Sequence, residues 1–295
     1  MFLLIRISQQ LINGLSIGSI YALIAIGYSL IYSILMFSNF AHSSFLLMGA
    51  YTGFYILILL SSSFPLSLLI AMLGSGILAV LIEKIAYKPI RDRGNPTLYF
   101  IIASMGISIF FENFIICTIG PRFRSYPRIM QTTFVELGKL NISVMDIYAA
   151  VVAIAFLLML SYLIEKTKVG IAIRAASFDL EVVGLMGVNT NMLISIVFLI
   201  AGILAGLAGE FLGVKYTVYP QLGYITNKAY IAAVFGGLGN LKGAVLGSIL
   251  LGLLEALITG FLSSAMRDIF VFCLLILVLL IKPSGLMGIQ KQDKV

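Results

Sequence analysis

Hydrophobic residues fill 61% of the 295 positions and charged residues only 11%. A water-soluble chain carries roughly 25% charged residues, so this one lacks the polar groups to cover a globular surface. The net charge of +7 comes from short basic clusters between apolar runs, with no basic stripe on a soluble segment, which excludes a nucleic-acid surface.

From the N-terminus, residues 7 to 82 contain no Asp, Glu, Lys or Arg. One membrane crossing takes roughly 20 apolar residues, so this run alone accommodates about three. The stretch after Arg6 is far longer than a signal-peptide core and shows no convincing cleavage site, so it reads as a retained first helix. A transmembrane barrel would alternate polar and apolar residues along short strands. The runs here are continuous and rich in Leu, Ile, Ala and Gly, and such runs satisfy their backbone polar groups in lipid only as helices. The expected fold is an all-α polytopic membrane protein, a single transmembrane domain over 1–295.

The pattern predicts spans at 9–37, 44–61, 65–86, 97–119, 144–164, 191–214, a short one at 225–237, then 241–262 and 267–281. That makes about eight or nine membrane helices, the short one broken or re-entrant. Three connections look soluble. The first, Glu83 to Arg93, carries Lys84, Lys88, Arg91 and Arg93; the second, 120–143, holds Arg122, Arg124, Arg128, Pro121, Pro127 and Gly138; the third runs from Glu165 to Thr190. The third reads as an amphipathic helix followed by a turn punctuated by glycine. Placing the first and third inside puts 11 of the 19 Lys and Arg residues in the cytoplasm, so the N-terminus is expected outside and the C-terminus inside. Cys117 and Cys273 lie in apolar segments and match no disulfide or metal spacing. Trp is absent, which leaves Tyr and Phe for any aromatic belt.

An internal repeat organises the spans. Gly74-Ser75 precedes Glu83, as Gly247-Ser248 precedes Glu255, and Met48-Gly49-Ala50-Tyr51 is set against Phe235-Gly236-Gly237-Leu238. Spans one to four then correspond to six to nine, with the fifth as linker. One intervening span inverts the second copy, a transporter pattern that places the pathway between the halves.

Several polar segments interrupt the apolar runs. Asn39-Phe40-Ala41-His42 holds the only histidine. It reads either as a broken helix turned toward a pathway or as a cap, with Ser38 and Asn39 ending one helix and Ser43 and Ser44 starting the next; the cap is the simpler reading. No ligand cluster accompanies His42, so no metal and no catalytic residue is expected. In Tyr219-Pro220-Gln221-Leu222-Gly223-Tyr224, Pro and Gly precede an apolar stretch too short to cross alone. Free amides at such a helix start could hold a substrate carboxylate, with Lys228 beside them, or Lys228 could simply snorkel from an interfacial bend. Glu112, Glu210 and Glu255 sit in apolar runs, where a carboxylate marks a pathway, a buried pair or a wet helix end. The ladders Gly14/Gly18, Gly202/Gly206, Gly209/Gly213 and Gly243/Gly247 indicate close helix packing. The segment with Arg174, Ala175, Ala176, Asp179, Gly184 and Gly187 suits a surface helix docked on another protein, or a plain connector. No phosphate loop occurs, since Gly138-Lys139 is followed by Leu140; any ATPase is therefore a separate chain, and the protein is not an enzyme.

Five segments, in order, resemble one known family. Asn13-Gly14 through Tyr28, leading to Asn39-Phe40-Ala41-His42 and Gly49-Ala50-Tyr51, is similar to the opening signature of the LivH-type permeases of bacterial branched-chain amino-acid ABC importers. Ala86-Tyr87-Lys88-Pro89-Ile90-Arg91 resembles their first cytoplasmic loop. Arg174-Ala175-Ala176, Asp179 and Gly187-Val188-Asn189 resemble their ATPase-coupling loop. Lys228-Ala229-Tyr230 with Gly236 to Gly239 resembles their late broken helix, and 277–286 their ending. Two departures stand out. The family usually follows Asn-Phe-Ala-His with Gly-Glu, where Ser43-Ser44 stand here, and Phe235 replaces a smaller aliphatic residue.

The resemblance implies a multi-pass protein of the bacterial cytoplasmic membrane with no cofactor of its own, ATP being bound by two separate ATPase subunits. It also implies a second permease (LivM-like, or a second copy of this chain) and an external amino-acid-binding protein. The substrate path would involve Asn39, His42, Gly223 and Lys228. Related permeases carry urea, short amides or simple sugars, and an ion-coupled transporter or a non-transporting scaffold are the remaining classes.

Overall fold

The computed structural model describes residues 2–60, 63–127, 134–137 and 140–288. Arg128, Gly138 and Lys139, all in or beside the second connection, lie outside the described residues. Twelve helices follow in order: α1 (Phe2–Leu35), α2 (His42–Leu59), α3 (Phe64–Ile82), α4 (Lys88–Asp92), α5 (Thr97–Thr118), α6 (Val144–Lys166), α7 (Lys168–Ala176), α8 (Leu180–Leu185), α9 (Thr190–Tyr216), α10 (Ile225–Gly236), α11 (Leu241–Phe261) and α12 (Arg267–Ile281). Among the described residues, eight helical stretches are long and apolar enough to cross a membrane, and α10 is the short ninth, as the sequence predicts.

The helices are interlocked. α3 packs along α9 as α11 packs along α1; α2 lies on α9 as α10 lies on α1; α2 and α3 pair as α10 and α11 do. The chain is thus two inverted units, α1–α3 and α9–α11, in which the first helix of each is clasped by the second and third of the other. α1 is the best-shielded span, 94% of its apolar window being buried, whereas only 11% of α12 is. The core sits around α1 and α9, while α5, α6 and α12 are peripheral.

Close approach between the units rests on glycine. A side-chain carbon at Gly202 would stand 2.7 Å from the Ser75 carbonyl oxygen, and one at Gly18 would stand 3.1 Å from that of Ser248. The Gly14/Gly18 and Gly202/Gly206 ladders are therefore the equivalent seams of the two units. Without a hydrophobic drive between helices in lipid, such contact is what dispersion needs. Gly74-Ser75 and Gly247-Ser248 do occupy matching places. The other pairing does not hold: Gly49 sits mid-helix against Gly206, whereas Gly236 ends α10 against Gly243 and is followed by Gly237 at φ +112°. Two glycine-rich runs matched in sequence because both pack closely, on different partners.

Two connections differ from expectation. Residues 83–93 are mostly helical: α3 continues through a π-helical turn, Glu83–Tyr87, into α4. Glu83 is buried, accepting from Arg91 Nη2 at 3.1 Å and from Ser195 Oγ at 2.8 Å. The charges that read as a loop answer one another inside a helix. Residues 120–143 contain an antiparallel hairpin, β1 (Phe134–Leu137) with β2 (Leu140–Ser143), pairing Val135 with Ile142. Arg91 also donates to Asn191 at 2.8 Å, which puts the first and third connections at one end of the bundle. The Arg124–Val218 bridge and the Gln9–Asn141 bonds gather the second connection, the start of α1 and the end of α9 at the other.

The seam makes a prediction. Gly202→Val places methyl groups against Ser75 and Ala79 and is expected to cost about 1–3 kcal/mol of overpacking strain. Gly106→Val, with nothing within 4 Å, should be neutral. Gel filtration of the singly expressed chain in detergent would show a loss of the monodisperse peak for the first substitution alone; equal yields of the two would contradict the packing.

Candidate functional site

Both units break a helix in the same way. α1 ends at Leu35, and Met36 takes φ +54°; α9 ends at Tyr216, and Thr217 takes φ +73°. Among the described residues these are the two non-glycine positions in the left-handed region, a conformation that side chains rarely adopt and that turns the chain sharply. After each, a short non-α segment returns into the protein before the next helix begins, at His42 for α2 and at Ile225 for α10.

Each returning segment lies against the helix that follows the other. Ser38 Oγ and the Tyr230 hydroxyl are 2.9 Å apart, and the Phe40 and Tyr230 ring centroids are 5.9 Å apart. A side-chain carbon at Gly223 would stand 3.2 Å from Ser43 Cβ. The structure therefore brings Asn39, His42 and Gly223 to one neighbourhood. Asn39 Oδ1 accepts from the Ala41 amide at 3.2 Å and from the Tyr87 hydroxyl at 2.6 Å, so it braces the turn and ties it to the π-helical segment. His42 is wholly buried, its ring 4.4 Å from that of Tyr28 and directly over Gly27. The amide that Asn39 caps is that of Ala41, and Ser43 Oγ donates to the Phe40 carbonyl rather than capping α2.

Helix-start amides are less free than the sequence suggests. Pro220–Tyr224 forms a 3-10 turn whose Leu222 and Gly223 carbonyls already take the Ile225 amide. Lys228 is likewise engaged, 3.0 Å from Glu255 and 2.6 Å from Asp268, while Glu255 also accepts from the Tyr21 hydroxyl at 2.9 Å. It holds α10 to α11 and α12. Glu210 is buried against Ser67 Oγ at 2.5 Å, a link between α9 and α3. Glu112 is different. It borders a cleft with Ser43, Ser44, Ser108, Gln221 and Tyr224, so the face where Ser43-Ser44 replace the Gly-Glu of the resembling family still carries a carboxylate, supplied by α5.

At the opposite end, α7 and α8 form a compact pair. Thr167 accepts from the Gly170 amide at 3.1 Å, Asp179 from those of Glu181 and Val182 at 2.9 and 3.1 Å, and Gly187 at φ +85° reverses the chain toward α9. Arg174, Ala175, Asp179 and Gly184 are exposed, but Ala176 is buried and faces this chain. Sequence reasoning missed Phe178, Leu185 and Met186, which are 80–87% exposed on a segment outside the spans. The available signal was large apolar residues set between Ser177, Asp179, Gly184 and Gly187, where a surface turn needs none.

Comparison with known proteins places this geometry. Residues 10–279 match the family described as the permease component of branched-chain amino acid transport systems. The chain is 37% identical over 301 residues to the high-affinity branched-chain amino acid transport system permease protein BraD of Pseudomonas aeruginosa, covering 97% of each. It is 36% identical over 305 residues to the corresponding LivH of Escherichia coli, again covering 97% of each. Among solved structures, PsaBC from Streptococcus pneumoniae in complex with Fab superposes with a TM-score of 0.51 at 15% identity over 94% of this chain and 92% of that one, a likeness of fold alone. Near-complete coverage by permease relatives, on a fold of eight spans with two inward breaks, makes this chain a member of the family of permease components of branched-chain amino acid transport systems.

Proposed function

We propose that this chain is one membrane-spanning permease subunit of an ATP-driven importer that moves leucine, isoleucine and valine across the bacterial cytoplasmic membrane. The observation that carries the reading is the full-length relation to permeases named for branched-chain amino acids. The broken helices give it a physical basis: backbone that departs from a helix at membrane depth is tolerated only inside protein or beside a water-filled cavity. The path runs past the starts of α2 and α10, at Asn39, His42 and Gly223, with Lys228 on its wall and its charge balanced by Glu255 and Asp268. The chain works as one transmembrane unit beside a second permease, with two cytoplasmic ATPases and an external amino-acid-binding protein. Its α7–α8 end faces the cytoplasm.

Purified complex in proteoliposomes is expected to accumulate leucine only with internal or external ATP at the ATPase face and loaded binding protein. Isoleucine and valine should compete, and urea should not. Urea or a sugar as the sole transported solute would overturn the substrate assignment.

Coupling to the ATPases is assigned to the exposed face of α7 and α8, with Phe178, Leu185 and Met186 as its apolar anchors and Arg174, Ala175, Asp179, Gly184 and Gly187 shaping it. Leu185→Asp should lower uptake roughly ten-fold or more, the scale of losing an interface anchor, while membrane insertion is unchanged. Normal uptake with normal substrate-stimulated hydrolysis in that variant would place the ATPase contact elsewhere. Ala176, being buried, reports on packing of α7 and not on this contact.

A further inference from the structure

Ser104, Ser108 and Glu112 follow one another at four-residue intervals on α5, so they share one face of an otherwise apolar span. That face abuts the start of α2 and the 3-10 turn: Ser104 Oγ accepts from the Phe40 amide at 3.2 Å, and Ser108 Oγ lies 2.7 Å from Ser43 Oγ. Glu112, six residues before the end of α5, is half-buried and borders the same cleft as Tyr224. Among the described residues no Lys or Arg forms an ion pair with it, in contrast to Glu83 and Glu255.

A carboxylate at this depth is costly in lipid and faces either a partner or a wet path. A second observation points to a ligand. Ser44 is only 2% exposed and lines the same cleft, yet its hydroxyl has no hydrogen-bond partner. Gln221 opens onto it as well. The gap enclosed by these groups is about 10 Å³, the space of one water molecule. Of a branched-chain amino acid, the ammonium group is the part small enough to enter it, leaving the aliphatic side chain outside.

We propose that Glu112, facing Ser44 across this cleft, is a binding residue on the translocation path that receives the substrate's α-ammonium group. The proposal rests on the amino-acid reading above and adds to it the residue that would favour an amino acid over a neutral amide or sugar. The Ser44 hydroxyl supplies an acceptor for a second ammonium proton. Charge-assisted contacts of this kind are about twice as strong as neutral ones.

The test uses the complete transporter in proteoliposomes with loaded binding protein, comparing leucine uptake in wild type, Glu112→Gln, Glu112→Asp and the double variant Glu112→Gln with Ser44→Glu. Glu112→Gln should lose roughly ten-fold or more of the initial rate. Complex assembly should be unchanged. At least one of the other two variants, which return a carboxylate to the cleft from its own side or from the opposite wall, should recover uptake. Full uptake in Glu112→Gln, or loss that neither carboxylate variant recovers, would overturn the proposal. So would dissociation of the permease pair in Glu112→Gln, which would assign the carboxylate to a cation of the partner subunit. A wild-type complex that takes up no leucine would instead sink the transport reading itself, a failure separable from these because it precedes any substitution.

Discussion

Hydrocarbon offers no hydrogen bonds to a peptide group, so a chain that leaves the helical path inside a membrane must find every partner within protein. The fold is organised around that constraint. The segments that return after Met36 and Thr217 run into a shielded interior, with Asn39, Ala41 and Leu222 buried, and each unit alone has too few helices to supply it. Interlocking solves this: α2 and α3 wrap α9 while α10 and α11 wrap α1, so the buried starts of α2 and α10 are enclosed by helices of both units. The glycines at 18 and 202 let the wrapping helices come near enough for the seal to be continuous.

Charge follows the same logic. Glu83 is met by Arg91 and Ser195, and Glu255 by Lys228 and Tyr21. Each carboxylate ends the third helix of its unit or lies within it and ties that helix to a neighbour. Removing one member of such a buried pair costs about 3–5 kcal/mol because the survivor is left uncompensated. These pairs are therefore fixed walls. Against them stand buried polar groups without a hydrogen-bond partner, His42 and Ser44 among them, and Glu112 without a cation among the described residues.

The spans were legible because charge-free runs of such length allow little else, and the shortness of α10 was legible from Pro220, Gly223 and the dozen apolar residues that follow. The seams were legible from glycines four apart. Other features depend on contacts that no local pattern encodes. Arg91 reads as a loop charge until its helix turns it back on Glu83, eight residues earlier. Lys228 reads as a free cation because Glu255 and Asp268 lie 27 and 40 residues away. The paired strands 134–137 and 140–143 have four residues each with polar and apolar positions mixed, too short for a periodic signal. In the candidate site, Asn39, His42 and Gly223 were readable as breaks, but that they meet, and that Glu112 closes the cleft beside Ser44, follows only from the inversion of the second unit.

α2 and α10 begin side by side within one chain, where the two returning segments end. In a background with Cys117 and Cys273 replaced, Ser43→Cys with Gly223→Cys puts two β-carbons about 3.2 Å apart, close to the separation of roughly 3.5–4.5 Å that a disulfide spans. Mild oxidation in native membranes, read by mass spectrometry of the digested chain, should give a rapid intramolecular disulfide in nearly all molecules. No disulfide, or one formed only between two chains, would show that α2 and α10 do not begin side by side.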